Sequence, residues 1–506
     1  MPKCIREARG KRPKFSERGT ATECSASLLS ASASGIRLCN FCCSCNNFSF
    51  TSTDKNRQRP ETKASSDFTG TTSGINPGNL FSRQVVSDRS NEYTIDSLEK
   101  GAALTTSFNR NRPDNLLVHN RENRLHNLDT FAPLSGPYVM HNGRSLISFA
   151  SNDWLGLSSH PCLKENAIRF VTRYGVNNAS SHLSEGNIDG YDRVEKKLAD
   201  LTGFETALLF QSEAKLLEVL FSELFSSRSV IAVDRLMPRS TAQTLAKHSA
   251  ETRAKWFSYR HWQHEDARVR LCSEIYDDCQ EKWLLNQSLY ALDGSVESVP
   301  ALEKMHRNFG IKVLLDDSNA AGVLGVNGMG LASYIAGNGL AFGSFARGLG
   351  CAGAYLLCSH EVKSQLLDIC KASIYAVPMQ PSALGAIDAA LDIVPGMHKE
   401  RLQLLQMAED FRKVVLKMGF ETGPSSTQII SILAGTDSQA IRIAEHLYDN
   451  GIFAAPIRPS NLAQGNARLR ISISLKHEKE HIFRLLRCLS NFRKPPISEK
   501  TSGTCS

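Results

Sequence analysis

Lys312-Val313-Leu314-Leu315-Asp316-Asp317-Ser318-Asn319-Ala320-Ala321-Gly322-Val323-Leu324-Gly325 opens as a short buried strand, from Lys312 to Leu315, and breaks at two acids before a glycine turn. A short apolar run of this kind suits a strand covered on both faces. Ser344-Phe345-Ala346-Arg347-Gly348-Leu349-Gly350 is a second small-residue turn, again following an apolar, strand-like run. Outward from these, Ala207 to Phe210 and Ala354 to Leu357 read as strands, whereas Asp192 to Leu201 and Ala214 to Phe225 carry helical periodicity. Such alternation predicts an α/β layer with a mainly parallel sheet.

The chain has 506 residues, more than one core usually organises, so several units are expected. Residues 1–90 are basic, serine-rich and poor in periodic apolar residues. They read as an organellar transit peptide, for a mitochondrion or plastid, or as a disordered extension of a cytoplasmic protein. Residues 91–148 hold a helix from Tyr93 to Leu104 and a hairpin from Tyr138 to Leu146 with Asn142-Gly143 at its turn. Residues 149–388 form the large α/β domain. Residues 389–493 form a smaller α+β domain, with helices from Met397 to Met418 and Ser438 to Asn450 and strands from Gln428 to Leu433 and Leu469 to Ser474. Residues 494–506 are a tail.

Composition excludes several classes. The hydrophobic fraction is 41% and the charged fraction 22%, ordinary for a globular chain. No apolar run reaches the roughly 18–20 residues that span a bilayer. The net charge of +8 is concentrated towards the amino terminus, without a basic helix interleaved with aromatics, which argues against nucleic acid. Of 14 cysteines, Cys39, Cys42, Cys43 and Cys45 crowd together but lack a second Cys/His pair at zinc-finger spacing. The later cysteines lie in apolar settings and read as reduced packing residues.

Five segments, in one order, resemble the α-oxoamine synthases. They are Phe149-Ala150-Ser151-Asn152-Asp153-Trp154-Leu155-Gly156-Leu157, Leu292-Asp293-Gly294, Leu315 to Gly325, Ile457-Arg458-Pro459 and Arg468-Leu469-Arg470. The likeness runs from about Leu146 to Leu489 and is nearest to the 8-amino-7-oxononanoate synthase branch. It implies a dimeric fold of type I among pyridoxal phosphate (PLP)-dependent enzymes, with the site built across the interface.

Carried over residue by residue, the resemblance places Arg347 where the family has its Schiff-base lysine. A desolvated lysine can attack an aldehyde, whereas a guanidinium stays protonated. Asp316 falls at the carboxylate beside the pyridine nitrogen. Asn319 replaces a histidine near the ring, and Pro238 replaces the histidine stacked on it. Glu213 and Ala214 follow Ser212 where the family's Ser-Gly-(Phe/Tyr) offers backbone N–H groups to the phosphate. Gln287 and Ala291 replace a glutamate and a PLP-contacting serine, and Asn177 to Ser181 replaces a Gly-Ser-Gly-Gly-Ser turn. Ser344 keeps a hydroxyl for the phosphate. Arg470 matches the substrate-carboxylate arginine and Asn461 a substrate-contacting threonine. Lys215 and Cys351 are weighed as substitute reactive groups and set aside. Arg347 is expected to pair with Asp316 or Glu213.

Three functions stay open. The first is a degenerate synthase unable to form the Schiff base, paired as a homodimer or with an active paralogue. The second is an active enzyme condensing L-alanine with an acyl thioester. The third is a non-catalytic protein binding an acyl thioester or an amino acid.

Overall fold

The computed structural model describes residues 130–177, 180–181, 185–375, 378–457 and 466–492. The extension over 1–90, the Tyr93 to Leu104 helix, the Cys39 to Cys45 cluster, Asn178-Ala179, Arg458-Pro459, Asn461 and the tail lie outside the described residues.

The amino-terminal hairpin forms as its turn dictates. Asn142 (φ 47°) and Gly143 (φ 73°) both adopt the left-handed conformation that a two-residue turn needs. It joins β2 (Tyr138–His141) to β3 (Arg144–Ser148), with β1 (Phe131–Pro133) beyond β2.

The large sheet contains β4 (Thr206–Phe210), β5 (Ser229–Asp234), β6 (Lys255–Tyr259), β7 (Glu281–Gln287), β8 (Lys312–Asp316), β9 (Gly339–Ser344) and β10 (Ala354–Cys358). Its order is β4-β10-β9-β8-β7-β5-β6. Strand β10 runs antiparallel to both neighbours, and the pairs from β9 to β6 are parallel. Six strands therefore end at one edge, with Phe210, Asp234, Tyr259, Gln287, Asp316 and Ser344 as their last residues. Strands β4, β5 and β10 are buried throughout, which is why they carry runs rather than alternation.

Helices α1 (Pro161–Tyr174), α2 (Asp189–Thr202), α3 (Glu213–Glu223), α4 (Arg239–Thr252), α5 (His264–Leu271), α6 (Val299–Phe309), α7 (His360–Tyr375) and α8 (Pro381–Ile393) connect and accompany the strands. Proline at the first helical position starts α1 and α8 where its missing N–H costs nothing.

The carboxy-terminal part follows α9 (His398–Lys417). It has β11 (Ile429–Gly435), α10 (Asp437–Asp449), β12 (Ile452–Phe453), β13 (Ala455–Ile457), β14 (Ala467–Ser472) and α11 (Lys479–Asn491). Thr436 and Gln439 close a reciprocal capping box at the start of α10. Strands β11, β14 and β13 form an antiparallel sheet, as the α+β expectation had it. Strand β3 pairs in parallel with β12, so the amino-terminal hairpin shares a sheet with the carboxy-terminal part. Among the described residues no helix is long and apolar enough to cross a membrane.

A buried histidine seals this junction. His477 stacks on Phe149, with centroids 4.1 Å apart and planes 2° off parallel. Its Nδ1 accepts from the Ser474 N–H (3.0 Å), and its Nε2–H donates to the Ser148 carbonyl (3.0 Å). That pairing requires the neutral ring, and burial pushes the pKa down to about 4. A folded-state value below the unfolded one means the stabilisation is full above the unfolded pKa and is lost as pH falls through the folded one. Its size is on the order of 3 kcal/mol. Melting temperatures measured between neutral pH and pH 4 should fall less steeply in His477→Gln than in the parent. Parallel curves would show that His477 does not carry this acid sensitivity.

Candidate functional site

The site stands at the carboxyl edge of the large sheet, where open α/β sheets place ligands. Strand β4 ends at Phe210, and two residues later Ser212 caps α3, its Oγ accepting from the Lys215 N–H at 3.3 Å. One of the free amides at this helix start is thus already taken. Glu213 occupies the first turn, where the helix dipole favours a carboxylate.

Arg347 reaches across from the turn after β9. Its Nη2 donates to Glu213 Oε2 (3.2 Å) and its Nη1 to Asn319 Oδ1 (2.7 Å). Asn319, past the end of β8, passes the connection on, its Nδ2 donating to the Leu289 carbonyl (3.0 Å). Of the two expected partners, Glu213 is therefore the one that Arg347 engages. Asp316 is not: Gln287 Nε2 donates to its Oδ2 (2.8 Å) and the Ser318 N–H to its Oδ1 (3.0 Å). Gln287 and Asp316 meet because they are paired in the β7–β8 register.

Three further positions surround this group. Arg470, on β14, donates from Nε to the Ala291 carbonyl (3.0 Å) and from Nη2 to Asn152 Oδ1 (2.9 Å). The Ala291 N–H donates to Gln287 Oε1 (3.3 Å), so both ends of the Gln287 amide are used. Ser344, at the end of β9, is buried and accepts from the Ala346 N–H at 3.3 Å. Pro238 caps the start of α4, and Ala214 is exposed on α3.

The charges are mutually perturbed. Burial and the nearby Asp316 raise the pKa of Glu213, while Arg347 partly offsets them. Burial and the charge of Arg347 push Arg470 down to about 10. Burial pushes Asp317 up to about 6, against hydrogen bonds from the N–H groups of Leu331 (2.9 Å) and Ala332 (3.0 Å).

The substitute reactive groups are otherwise engaged. Lys215 turns its ammonium to Glu218 at 3.2 Å. Cys351 is buried, and its thiol is pushed up to about 12, far from a thiolate. Asn152 was not assigned a role from sequence, although it lies inside the quoted Phe149 to Leu157 segment. Its link to Arg470 spans 318 positions, and only tertiary structure brings them together.

Residues 144–488 match the family described as aminotransferase class I and II. The 8-amino-7-oxononanoate synthase of Gluconacetobacter diazotrophicus is 33% identical over 364 residues, covering 70% of this chain and 90% of that one. The fold is similar to that of Sphingomonas wittichii serine palmitoyltransferase, with TM-score 0.69 and 18% identity over 75% of this chain and 96% of that one. It is also similar to 8-amino-7-oxononanoate synthase from Francisella tularensis, with TM-score 0.59 and 22% identity over 68% and 97%. With its type I PLP-transferase fold, the chain belongs to the class I and II aminotransferases, among the 8-amino-7-oxononanoate synthase-like α-oxoamine synthases.

Proposed function

We propose that this chain is a non-catalytic α-oxoamine synthase, a folded subunit that does not hold PLP as a Schiff base. The observation that carries the reading is the Arg347–Glu213 ion pair, extended to Asn319, at the edge where the cofactor would sit.

The residues present do not fit PLP. A dianionic phosphate at the start of α3 would meet the Glu213 carboxylate, with the Ser212 hydroxyl already capping Lys215 N. Asp316 accepts from Gln287 and from the Ser318 N–H. Pro238 offers no aromatic face, and neither it nor Asn319 can take a proton from a substrate carbon. A guanidinium, as at Arg347, is not a nucleophile.

The subunit would act in a homodimer or beside a lysine-bearing paralogue. The alternative, condensation of L-alanine with an acyl thioester, lacks a base in this arrangement. One experiment separates them: incubate the purified full-length chain with PLP, record its absorption, reduce with borohydride and analyse by mass spectrometry. The expected result is no Schiff-base band and no pyridoxyl adduct. A stoichiometric adduct on one lysine would overturn the proposal and name the replacement residue.

A further inference from the structure

We propose that the cleft between the amino-terminal hairpin and α11 binds a nucleoside monophosphate, its phosphate among three arginines and its base against Phe483. The cleft shares no residue with the group at the sheet edge, and the inference does not rest on the non-catalytic reading.

The cleft is a cavity of about 990 Å³. Arg144 enters it from the start of β3, and Asp449 and Gly451 from the end of α10. Its long wall is one face of α11, where Glu480, Phe483, Arg484 and Arg487 recur at the three- and four-residue steps that align side chains on a helix. The volume lies at the upper end of the range that small-molecule sites occupy, roughly 300–1,000 Å³.

Three guanidinium groups stand here without a counter-charge. Arg144 Nη2 donates to the carbonyls of Tyr448 (3.3 Å) and Asp449 (3.1 Å), and Arg484 Nη2 to that of Asn450 (2.7 Å). Two arginines are thus fixed at the negative end of α10, a capping duty that engages one nitrogen of each. The turn leaves room for this: Gly451 adopts φ +77°, and a Cβ there would stand 2.7 Å from Arg484 Nη2. Arg487 caps nothing, and its guanidinium has no hydrogen bond or ion pair among the described residues. It belongs to the same group, because the Cys488 thiol feels the charges of both Arg484 and Arg487.

The two carboxylates of the cleft stay apart from the arginines. Glu480 stands four positions before Arg484, the order that favours an ion pair along a helix, yet Arg484 reaches across to Asn450. Neither the Asp449 nor the Glu480 side chain forms an ion pair or hydrogen bond among the described residues. A receptor for a bare polyanion has no use for such acids. A nucleotide has, since a carboxylate accepts from ribose hydroxyls. A phosphomonoester brings roughly two negative charges and three terminal oxygens, which suit guanidinium donors arriving from three backbone positions. Phe483 is 67% exposed and stacks on no other ring among the described residues, so its face is open to a base.

The test is calorimetric titration of the full-length chain with adenosine monophosphate (AMP) and separately with ribose 5-phosphate, at fixed pH and ionic strength. Saturable binding of AMP at one site per chain is expected, on the order of tenfold tighter than ribose 5-phosphate, which lacks the base. Phe483→Ala should remove most of that difference. Arg487→Gln should weaken AMP on the order of tenfold or more. It is the decisive variant, because its guanidinium holds nothing else and circular dichroism should be unchanged. Absence of saturable heat with AMP, affinity undiminished in Arg487→Gln, or ribose 5-phosphate binding as tightly as AMP would each overturn the proposal. Affinity that falls in Arg347→Gln but not in Arg487→Gln overturns it as well, by placing the nucleotide at the sheet edge.

Discussion

Arg347→Lys alone should give no borohydride-stable pyridoxyl adduct, whereas the fourfold variant Glu213→Gly, Pro238→His, Asn319→His and Arg347→Lys should give one approaching stoichiometry. In the single variant the new ammonium would face Glu213, and a nearby carboxylate holds an amine protonated. The same carboxylate would repel the phosphate of PLP. Two charges about 4 Å apart at the effective dielectric of a protein surface interact by roughly 4 kcal/mol. That corresponds to about a thousandfold weaker cofactor binding. Glu213→Gly removes this term and restores a flexible backbone at the helix start. The two histidines return an aromatic face and a titratable group that Pro238 and Asn319 lack. Mass spectrometry of the reduced proteins reads the difference directly. Substantial adduct or condensing activity in Arg347→Lys alone would sink the non-catalytic account, because it would show that the other substitutions do not matter.

Much of this arrangement could be read from the chain, and the unread part has a physical cause. Buried strands announce themselves as apolar runs, so β8 was expected from Lys312 to Leu315 and found one residue longer. The Asn142-Gly143 turn announced its hairpin for reasons of backbone sterics. Direction and neighbour order have no such local signature: nothing in Ala354 to Leu357 says that β10 runs antiparallel between β4 and β9. With β10 antiparallel to both neighbours, β4 and β9 end at the same edge of the sheet. Glu213, 134 positions away in sequence, is thus within reach of Arg347 across the strand ends, while Asp316 is held by its register partner Gln287. The union of the amino-terminal hairpin with β12 was equally silent, since a two-residue strand carries no periodicity to detect.

Gly294→Ala should lower stability by about 3–5 kcal/mol, and the melting temperature by roughly 5–10 °C, without involving any ligand. Gly294 adopts φ +75°, a conformation that costs a residue with a Cβ about 1–2 kcal/mol. The larger part is steric, because an added Cβ would stand 1.9 Å from the Ile429 carbonyl oxygen, a backbone atom that cannot swing aside. The turn around it is also a clamp. Its carbonyl accepts from the Ser426 N–H (3.2 Å) and the Thr427 hydroxyl (3.1 Å), and Asp293 Oδ1 holds the Ser295 N–H (3.0 Å) and hydroxyl (2.6 Å). Gly143→Ala is the control: φ is +73°, but nothing lies within 4 Å of the added carbon, so only the conformational cost of about 1–2 kcal/mol is expected. If both variants melt within about a degree of each other, the clamp is not what the glycine serves. If Gly294→Ala is much the weaker, the Asp293-Gly294 segment holds β11 against the large domain. A segment with that duty is constrained by packing whether or not a cofactor is bound. On the non-catalytic proposal, that is how the scaffold motifs persist beside Arg347 and Glu213.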